Sequence, residues 1–114
     1  MRKLRINPVA LQDLHDIKEY ITKEFDNTNV AVDVITNIMG CYGNLKEFPL
    51  LGIELSSKIA DVQTDYRYLI CGDYIVFYKN DDVYVSIYRI LYSRRDYIKI
   101  LFDKNKNEIR YEEN

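Results

Sequence analysis

The spacing of apolar residues near the start of the chain predicts a short strand followed by an amphipathic helix. Leu4-Arg5-Ile6 is typical of a strand, and Asn7-Pro8 then provides an N-cap side chain before a proline at the first helical position. The apolar residues that follow recur every three or four positions, as one face of a helix requires: Ala10, Leu14, Ile17 and Ile21. We expect the helix to end near Phe25, with four polar residues outside its apolar stripe: Asp13, Asp16, Lys18 and Glu19.

A second amphipathic helix is predicted after the polar turn Asp26-Asn27-Thr28-Asn29. Its apolar positions again alternate steps of three and four: Ala31, Val34, Ile38, Cys41, Leu45 and Phe48. Pro49 ends this helix, and Gly40 and Gly43 inside it each cost about 1 kcal/mol relative to alanine, so we interpret them as marks of a close helix crossing. The short connection between the helices predicts an antiparallel helical hairpin.

After a weakly patterned segment at 50–64, expected to be a loop with a short irregular strand, the apolar period changes to two. Residues 66–71, 74–79 and 83–92 are rich in Val, Ile, Tyr and Phe, which predicts three strands. The intervening Gly72-Asp73 and Asn80-Asp81-Asp82 indicate turns, and Gly72 suits the mirror-image turn that hairpins prefer. The three strands should form an antiparallel meander.

The register of this meander decides where its two arginines lie. If Gly72-Asp73 and Asp81-Asp82 are two-residue turns, then Arg67 faces Tyr78, Tyr78 faces Val85 and Tyr74 faces Arg89. Arg67 and Arg89 would then share one face, about 13 Å apart along the strands at ~3.3 Å per residue. A three-residue second turn would place Arg89 on the other face.

The end of the chain completes an α+β arrangement. Arg94 is expected to begin a short last helix that runs through Phe102, and residues 103–114 form a polar, aperiodic tail, solvated or ordered by a partner. Without internal repeats or a linker, we expect a single domain over 1–102. The predicted fold is an N-terminal strand, an antiparallel helical hairpin packed on a C-terminal antiparallel β-meander, and a short C-terminal helix.

Composition and charge narrow the function classes. A chain of 114 residues, 47% hydrophobic and 30% charged, has the balance of a soluble globular domain. A net charge of -2 argues against an extended nucleic-acid interface, although it leaves a local basic patch open. The single His15 gives no zinc-ligand cluster, and we expect no metal, cofactor or small-molecule substrate.

The two cysteines and the N-terminus bear on the compartment. Cys41 and Cys71 lie at apolar positions of their elements, so we predict two reduced core thiols rather than a disulfide or a nucleophile. The N-terminus lacks the apolar region of a secretory signal, and no run of ~18 apolar residues occurs. A cytoplasmic protein that does not span a membrane is expected.

The order of elements, with four local signatures, resembles the ParE/RelE superfamily of bacterial toxin–antitoxin toxins. The signatures are the start of the first helix from Asn7-Pro8, the break at Phe48-Pro49 with Gly52, the hairpin strands Tyr66-Arg67-Tyr68 and Asp73 to Tyr78, and the final Ile87-Tyr88-Arg89-Ile90-Leu91-Tyr92 with Arg94-Arg95-Asp96. The resemblance covers nearly all of the chain up to Phe102. It implies the toxin of a type II module, which inhibits growth, stabilises plasmids and is neutralised by a cognate antitoxin encoded nearby.

The superfamily divides by mechanism, and three positions argue against its RelE branch. RelE-like toxins cut messenger RNA on the ribosome with basic side chains that move a proton and stabilise phosphate charge. At the corresponding positions this chain has Leu69, Ile75 and Tyr92. Aliphatic side chains supply neither function, so a ribosome-dependent mRNA endonuclease is the alternative rather than the favoured activity.

The ParE branch, whose members trap DNA gyrase on DNA without covalent chemistry of their own, is the better resemblance. Its arginine at the start of the first hairpin strand matches Arg67, and its Arg-x-Leu-His ending matches Arg89-Ile90-Leu91, with Tyr92 in place of the histidine. The resemblance therefore implies DNA gyrase as a partner. Six residues are candidates for function: Arg67, Arg89, Tyr92, Arg94, Arg95 and Tyr97.

Other interpretations of these residues stay open. Arg67 and Arg89 would contribute only to the stability of the fold if each forms an ion pair with a carboxylate, such as Asp65 or Asp73, or with the antitoxin. Arg94 and Arg95 fit an exposed helix start better than a phosphate site, and an inactive interaction module is an alternative for the whole chain. The apolar helix positions suit an antitoxin bound as a helix in a groove or as an added strand, with five candidate contacts: Leu14, Ile17, Ile21, Val34 and Ile38.

Overall fold

The computed structural model describes residues 1–59 and 63–102, which form a five-stranded sheet with a helical hairpin on one face. The strands are β1 (Lys3–Ile6), β2 (Ile53–Glu54), β3 (Arg67–Cys71), β4 (Tyr74–Asn80) and β5 (Tyr84–Tyr92). The helices are α1 (Pro8–Phe25), α2 (Thr28–Gly43) and α3 (Tyr97–Leu101). The predicted α+β class and its order of elements are confirmed, and β2 is the short strand expected inside the 50–64 segment.

The first helix begins and ends where its sequence predicts. Pro8 occupies the first turn, and Asp26 ends α1 in the left-handed conformation at φ 48°. One detail of the prediction is wrong: Asn7 takes the extended N-cap backbone conformation, but its side chain makes no capping hydrogen bond. Its buried Nδ2 atom has no hydrogen-bond partner among residues 1–59 and 63–102. The start of α1 therefore rests on the backbone of Asn7 and on Pro8.

The second helix is shorter than predicted. The side chain of Asn27 caps α2 by accepting hydrogen bonds from the backbone of Asn29 and Val30. The helix ends at Gly43 and passes into a 3₁₀ turn, Asn44–Lys46, rather than continuing to Phe48. The close helix crossing predicted at Gly40 and Gly43 is also wrong, because a Cβ atom at either position would meet no atom of another described element within 4 Å.

The sheet has the strand order β1-β5-β4-β3-β2. The first strand runs parallel to β5, from Lys3 opposite Tyr84 to Ile6 opposite Ile87, and the remaining neighbours are antiparallel. The chain thus crosses from β1 through the helical hairpin before it builds the meander. Because β1 stops opposite Ile87, no strand of the described residues lies on that side of the last residues of β5.

The predicted register holds for the first hairpin and fails for the second. Arg67 pairs with Tyr78, as expected, across a turn in which Gly72 has φ 64°. Tyr78 pairs with Ile87 rather than Val85, and Tyr74 pairs with Tyr92 rather than Arg89.

Two features cause this shift in the β4–β5 register. The Asp81 carboxylate accepts hydrogen bonds from the backbone of Val83 and Tyr84 and so builds a wider turn. In addition, a bulge places Arg89, not Tyr88, opposite Phe77.

This register corrects the predicted positions of the arginines. Arg67 lies opposite Tyr78 and Arg89 lies opposite Phe77, which are successive residues of β4. Successive strand residues point to opposite faces, so the prediction that the two arginines share one face is wrong.

Two apolar clusters lie on the two faces of the sheet. The larger joins the hairpin to the sheet and includes Ala10, Leu14, Ile38, Tyr42, Val76, Tyr78 and Ile87. The smaller lies under α3 and the 3₁₀ turn Leu55–Ser57, and includes Leu55, Tyr66, Phe77, Leu91 and Leu101.

The C-terminal helix α3 begins at Tyr97 rather than at Arg94. The side chain of Asp96 caps it by accepting a hydrogen bond from the backbone of Lys99. The predicted tail, 103–114, lies outside the described residues.

Cys41 and Cys71 form a disulfide between α2 and the end of β3. Packing of α2 on β3 brings their Cα atoms to 6.0 Å, within the range that a disulfide spans. The prediction of two reduced thiols is therefore wrong, and the cysteines give no support to a reducing compartment. Among residues 1–59 and 63–102, no helix is long and apolar enough to cross a bilayer.

Candidate functional site

The site is built around an ion pair between α1 and β5. Asp13 accepts hydrogen bonds from Nε and Nη2 of Arg89 at 2.8 and 2.9 Å, and from the backbone N–H of Ile90 at 2.9 Å. The side chains of Arg89 and Asp13 are only 13% and 10% exposed. The carboxylate thus takes the place of a strand beside β5 beyond the end of β1, and it neutralises a guanidinium that is mostly withdrawn from water.

A groove of about 420 Å³ opens beside this pair, between α1 and the ends of β4 and β5. One wall comes from α1, through Asp13, Asp16, Ile17 and Tyr20. The other comes from Tyr74, Ile90, Tyr92 and Arg95. We call this the tyrosine groove. Its floor is apolar at Ile17 and Ile90, while Tyr20 and Tyr92 are 64% and 41% exposed.

The aromatic residues of the groove influence one another. The rings of Tyr74 and Tyr92 meet edge to face with centroids 5.8 Å apart. Burial raises the pKa of Tyr74 above its usual value, and the neighbouring Asp73, Tyr92 and Tyr20 raise it further. The hydroxyl of Tyr74 therefore stays protonated at neutral pH and is available as a hydrogen-bond donor.

Arg67 lies apart from this groove, in a second cluster of polar contacts at the other edge of the sheet. Its Nη1 donates to the carbonyl of Gly52 at 2.7 Å, and its Nη2 lies 3.4 Å from Glu54 Oε1, with the side chain 18% exposed. Beside it, the Tyr78 hydroxyl donates to the carbonyl of Pro49 and accepts from the backbone N–H of Gly52. These contacts hold the Pro49–Gly52 loop against the sheet.

The six candidate functional residues therefore divide among several places. Tyr92 and Arg95 line the tyrosine groove, and Arg89 reaches it through Asp13. Arg67 is in the Gly52 cluster, Arg94 is exposed, and Tyr97 packs on Phe77 with ring centroids 5.3 Å apart. The expected carboxylate is present beside each partly buried arginine, but the partners are Asp13 and Glu54 rather than Asp65 or Asp73.

The proposed antitoxin contacts have mostly a different role in the structure. Leu14, Ile21 and Ile38 are buried in the protein's own interior. Ile17 and Val34 are half-buried; Ile17 lines the tyrosine groove, and Val34 lines a smaller groove beside the disulfide. Burial leaves the first three little surface for a partner, whereas Ile17 and Val34 are accessible, and an antitoxin contact stays a prediction for all five residues.

Asp13 is a residue of the candidate site that the sequence pattern missed. We predicted it outside the apolar stripe, whereas it is 8% exposed and anchors the site. A signal was present: Asp13 lies three residues after Ala10 and four before Ile17, so helical spacing places it on the buried face. A carboxylate on a buried face implies a cationic partner.

Among residues 1–59 and 63–102, no group of three or more His, Cys, Asp or Glu side chains is arranged to hold a metal ion. What the tyrosine groove offers is a carboxylate, phenol hydroxyls, aromatic rings and an exposed guanidinium around an apolar floor. Such a surface is suited to binding a polypeptide side chain.

Comparisons with known proteins agree with this architecture. Residues 4–97 match the family described as the ParE toxin of the type II toxin–antitoxin system, parDE. No curated protein sequence matches significantly. Among solved structures, the chromosomal ParDE toxin–antitoxin system from P. aeruginosa is similar, with a TM-score of 0.68 and 17% identity over 81% of this chain and 96% of that one. The toxin–antitoxin complex RelBE2 from Mycobacterium tuberculosis has a TM-score of 0.54 and 22% identity, over 80% and 96% of the two chains.

Proposed function

Because the chain belongs to the ParE toxin family of type II toxin–antitoxin systems, we propose that it stops growth by inhibiting DNA gyrase and that a cognate antitoxin neutralises it. The observation that carries the proposal is the family match over residues 4–97, which includes the whole helical hairpin and the sheet from Leu4 onward. We further propose that the module acts in the cytoplasm and stabilises the replicon that encodes it.

The chemistry of the sheet supports inhibition by binding rather than by RNA cleavage. Leu69 and Ile75 cannot transfer a proton, and Ile75 is buried. The guanidinium groups of Arg67 and Arg89 each form an ion pair with a carboxylate of the same chain. A paired guanidinium contributes less positive charge to a scissile phosphate than a free one, because its partner's negative charge offsets it.

The decisive experiment uses purified toxin with purified gyrase, ATP and relaxed plasmid. We expect loss of supercoiling and accumulation of gyrase-bound broken DNA, and both effects should vanish when the antitoxin is added in equal amount. In cells, induction without antitoxin should raise a DNA-damage reporter before translation declines. Normal supercoiling with a fully folded toxin would contradict the proposal.

Variants should separate a functional groove from the scaffold. Tyr92→Ala and Arg95→Ala alter exposed side chains of the tyrosine groove, and we expect them to weaken gyrase inhibition while the protein stays folded. Lys18→Ala removes a positive charge from the exposed side of α1 and is the matched control. Equal inhibition by all three variants would place the gyrase contact elsewhere on the molecule.

A ribosome-dependent mRNA endonuclease is the second candidate, because the fold is also similar to the RelBE2 complex. Primer extension on a message translated by purified ribosomes distinguishes the two activities. Codon-positioned cuts that require the toxin would replace the gyrase proposal with this one. Neither cuts nor gyrase inhibition, with normal growth on induction, would identify an inactive interaction module.

A further inference from the structure

The tyrosine groove combines one unpaired carboxylate with three aromatic rings. Asp16 projects from α1, where its carboxylate accepts a hydrogen bond from Gln12 at 2.9 Å and forms no salt bridge within the described part of the chain. Tyr20 lies one turn further along the same helix, and Tyr74 and Tyr92 form the facing wall. Asp13 is already neutralised by Arg89. Beside the aromatic rings, the groove therefore has one anionic group, Asp16, on its helix side and one cationic group, Arg95, on its sheet side.

The electrostatic surroundings of Tyr74 favour a positively charged guest. Burial raises the pKa of its hydroxyl most, and the carboxylate of the neighbouring Asp73 raises it further, so a negative charge is disfavoured at that point. Aromatic faces also attract cations, with a contribution of about 0.5–1 kcal/mol for each exposed contact. On the helix side of the groove an anionic guest would face the carboxylate of Asp16 and the negative faces of the rings, whereas the exposed Arg95 lies on the sheet side.

We propose that the tyrosine groove binds an arginine side chain of the antitoxin, with its alkyl chain on Ile17 and Ile90 and its guanidinium between Asp16 and the tyrosine rings. The identity of this partner rests on the proposed function. Arginine fits better than lysine because its planar guanidinium stacks on aromatic rings and donates two parallel hydrogen bonds to one carboxylate. Its long alkyl chain also matches the apolar floor.

Arg95 adds a constraint on the partner's sequence. It is exposed on the sheet side of the groove and, in the described part of the chain, forms no salt bridge, whereas Asp16 lies on the helix side. A bound arginine is therefore accommodated next to Asp16 and away from Arg95. An acidic residue close to that arginine in the antitoxin would pair with Arg95.

The groove is tested directly with a short peptide probe. N-acetyl-Ala-Arg-Ala-amide is titrated into the whole toxin while the ring signals of the tyrosines are followed by NMR, with N-acetyl-Ala-citrulline-Ala-amide as the uncharged control. We expect saturable shifts of Tyr74 and Tyr92 with the arginine peptide, and binding at least fivefold weaker with citrulline. Equal binding of both peptides, or no saturation by either, overturns the proposal.

Two variants locate the charge that matters. Asp16→Asn should weaken binding of the arginine peptide and of the antitoxin by about tenfold, which corresponds to ~1.4 kcal/mol. Glu19→Gln removes one negative charge from an exposed position of the same helix and should leave both affinities unchanged. If the two variants behave alike, the site is wrong even when the antitoxin binds tightly. If the arginine peptide binds but no cognate antitoxin exists, the groove is still an arginine-binding site and the proposed function is wrong.

Discussion

Asp13 binds the guanidinium of Arg89 and the backbone N–H of Ile90 with the same carboxylate, so one side chain of α1 fastens the helix to β5 where β1 has ended. The contact joins the first helix to the last strand, which are 76 residues apart in the sequence. It satisfies two groups that would otherwise be costly, a mostly buried cation and an unpaired strand amide. The pair is therefore part of the scaffold on which the tyrosine groove is built.

Removing the charge of Asp13 should destabilise the protein strongly. Asp13→Asn removes the carboxylate charge that binds Arg89, and breaking one side of a buried ion pair costs about 3–5 kcal/mol. Urea unfolding should show the loss as a lower midpoint. Asp16→Asn, one turn away and exposed, is the matched control and should change stability by less than ~0.5 kcal/mol. Similar midpoints for the two variants would show that the ion pair contributes little.

The close approach of Tyr78 to Gly52 predicts that a side chain at this position lowers the stability of the protein. A Cβ atom at Gly52 would lie 2.6 Å from the ring and hydroxyl of Tyr78 and 2.7 Å from the carbonyl of Tyr68. We expect Gly52→Ala to destabilise by roughly 1–3 kcal/mol, because a buried ring and a backbone atom must both move.

The matched control for Gly52→Ala is Gly40→Ala. A Cβ at Gly40 meets nothing within 4 Å, and alanine favours the helix, so this variant should stabilise by up to about 1 kcal/mol. Thermal unfolding of the two variants beside the wild type measures both shifts. A tolerated Gly52→Ala would contradict the close approach of Tyr78 to this loop.

Local patterns predicted the elements well because local interactions determine them. The start of α1 follows from Asn7-Pro8 and its end from the limit of the apolar stripe, and both match the structure. The β3–β4 register follows from the short turn at Gly72. The second turn defeated the same counting, because the Asp81 side chain organises it and a bulge inserts Tyr88. Side-chain hydrogen bonds and bulges do not alter the apolar period, so the pattern does not reveal them.

Long-range pairings were the part of the site that the sequence did not predict. The Asp13–Arg89 pair and the Cys41–Cys71 bridge each depend on which strand a helix packs against. That packing follows from β1 lying parallel to β5, a relationship without a local signature. Candidate residues near the end of β5 were found through the family resemblance, yet their grouping into one groove required the structure.

Two buried tyrosines should respond oppositely to loss of the hydroxyl. Tyr78 donates to Pro49 and accepts from Gly52, so Tyr78→Phe leaves a buried loop amide without its partner and should cost about 1–3 kcal/mol. Tyr42 is equally buried, but its hydroxyl has no hydrogen-bond partner among the described residues. Tyr42→Phe should therefore be neutral or stabilising.

Urea unfolding of both phenylalanine variants checks this contrast, and the wild-type slope confirms that the unfolded states are comparable. A large loss in Tyr42→Phe would mean that its hydroxyl has a partner that the described residues do not show. Retained stability in Tyr78→Phe would mean that the Pro49–Gly52 loop is held mainly by Arg67.

The disulfide between α2 and β3 should contribute substantially to the stability of the fold. Its cysteines are 30 residues apart, and closing a loop of that length stabilises the fold by roughly 3–4 kcal/mol when the main effect is on the unfolded chain. Reduction with dithiothreitol should therefore lower the urea midpoint of the wild type. The double variant Cys41→Ala with Cys71→Ala should begin at the reduced midpoint and show no response to dithiothreitol.

The comparison also decides how the toxin depends on its compartment. A reducing cytoplasm keeps cysteine thiols reduced, so the toxin would be less stable there than in its disulfide-bonded form. It would then depend more on a bound antitoxin, because binding adds its free energy to the stability of the folded state. Mass spectrometry after alkylation of toxin extracted from cells reports the thiol state directly. If the wild type retains its midpoint on reduction, the helix–sheet packing alone holds α2 on β3, and the disulfide is dispensable.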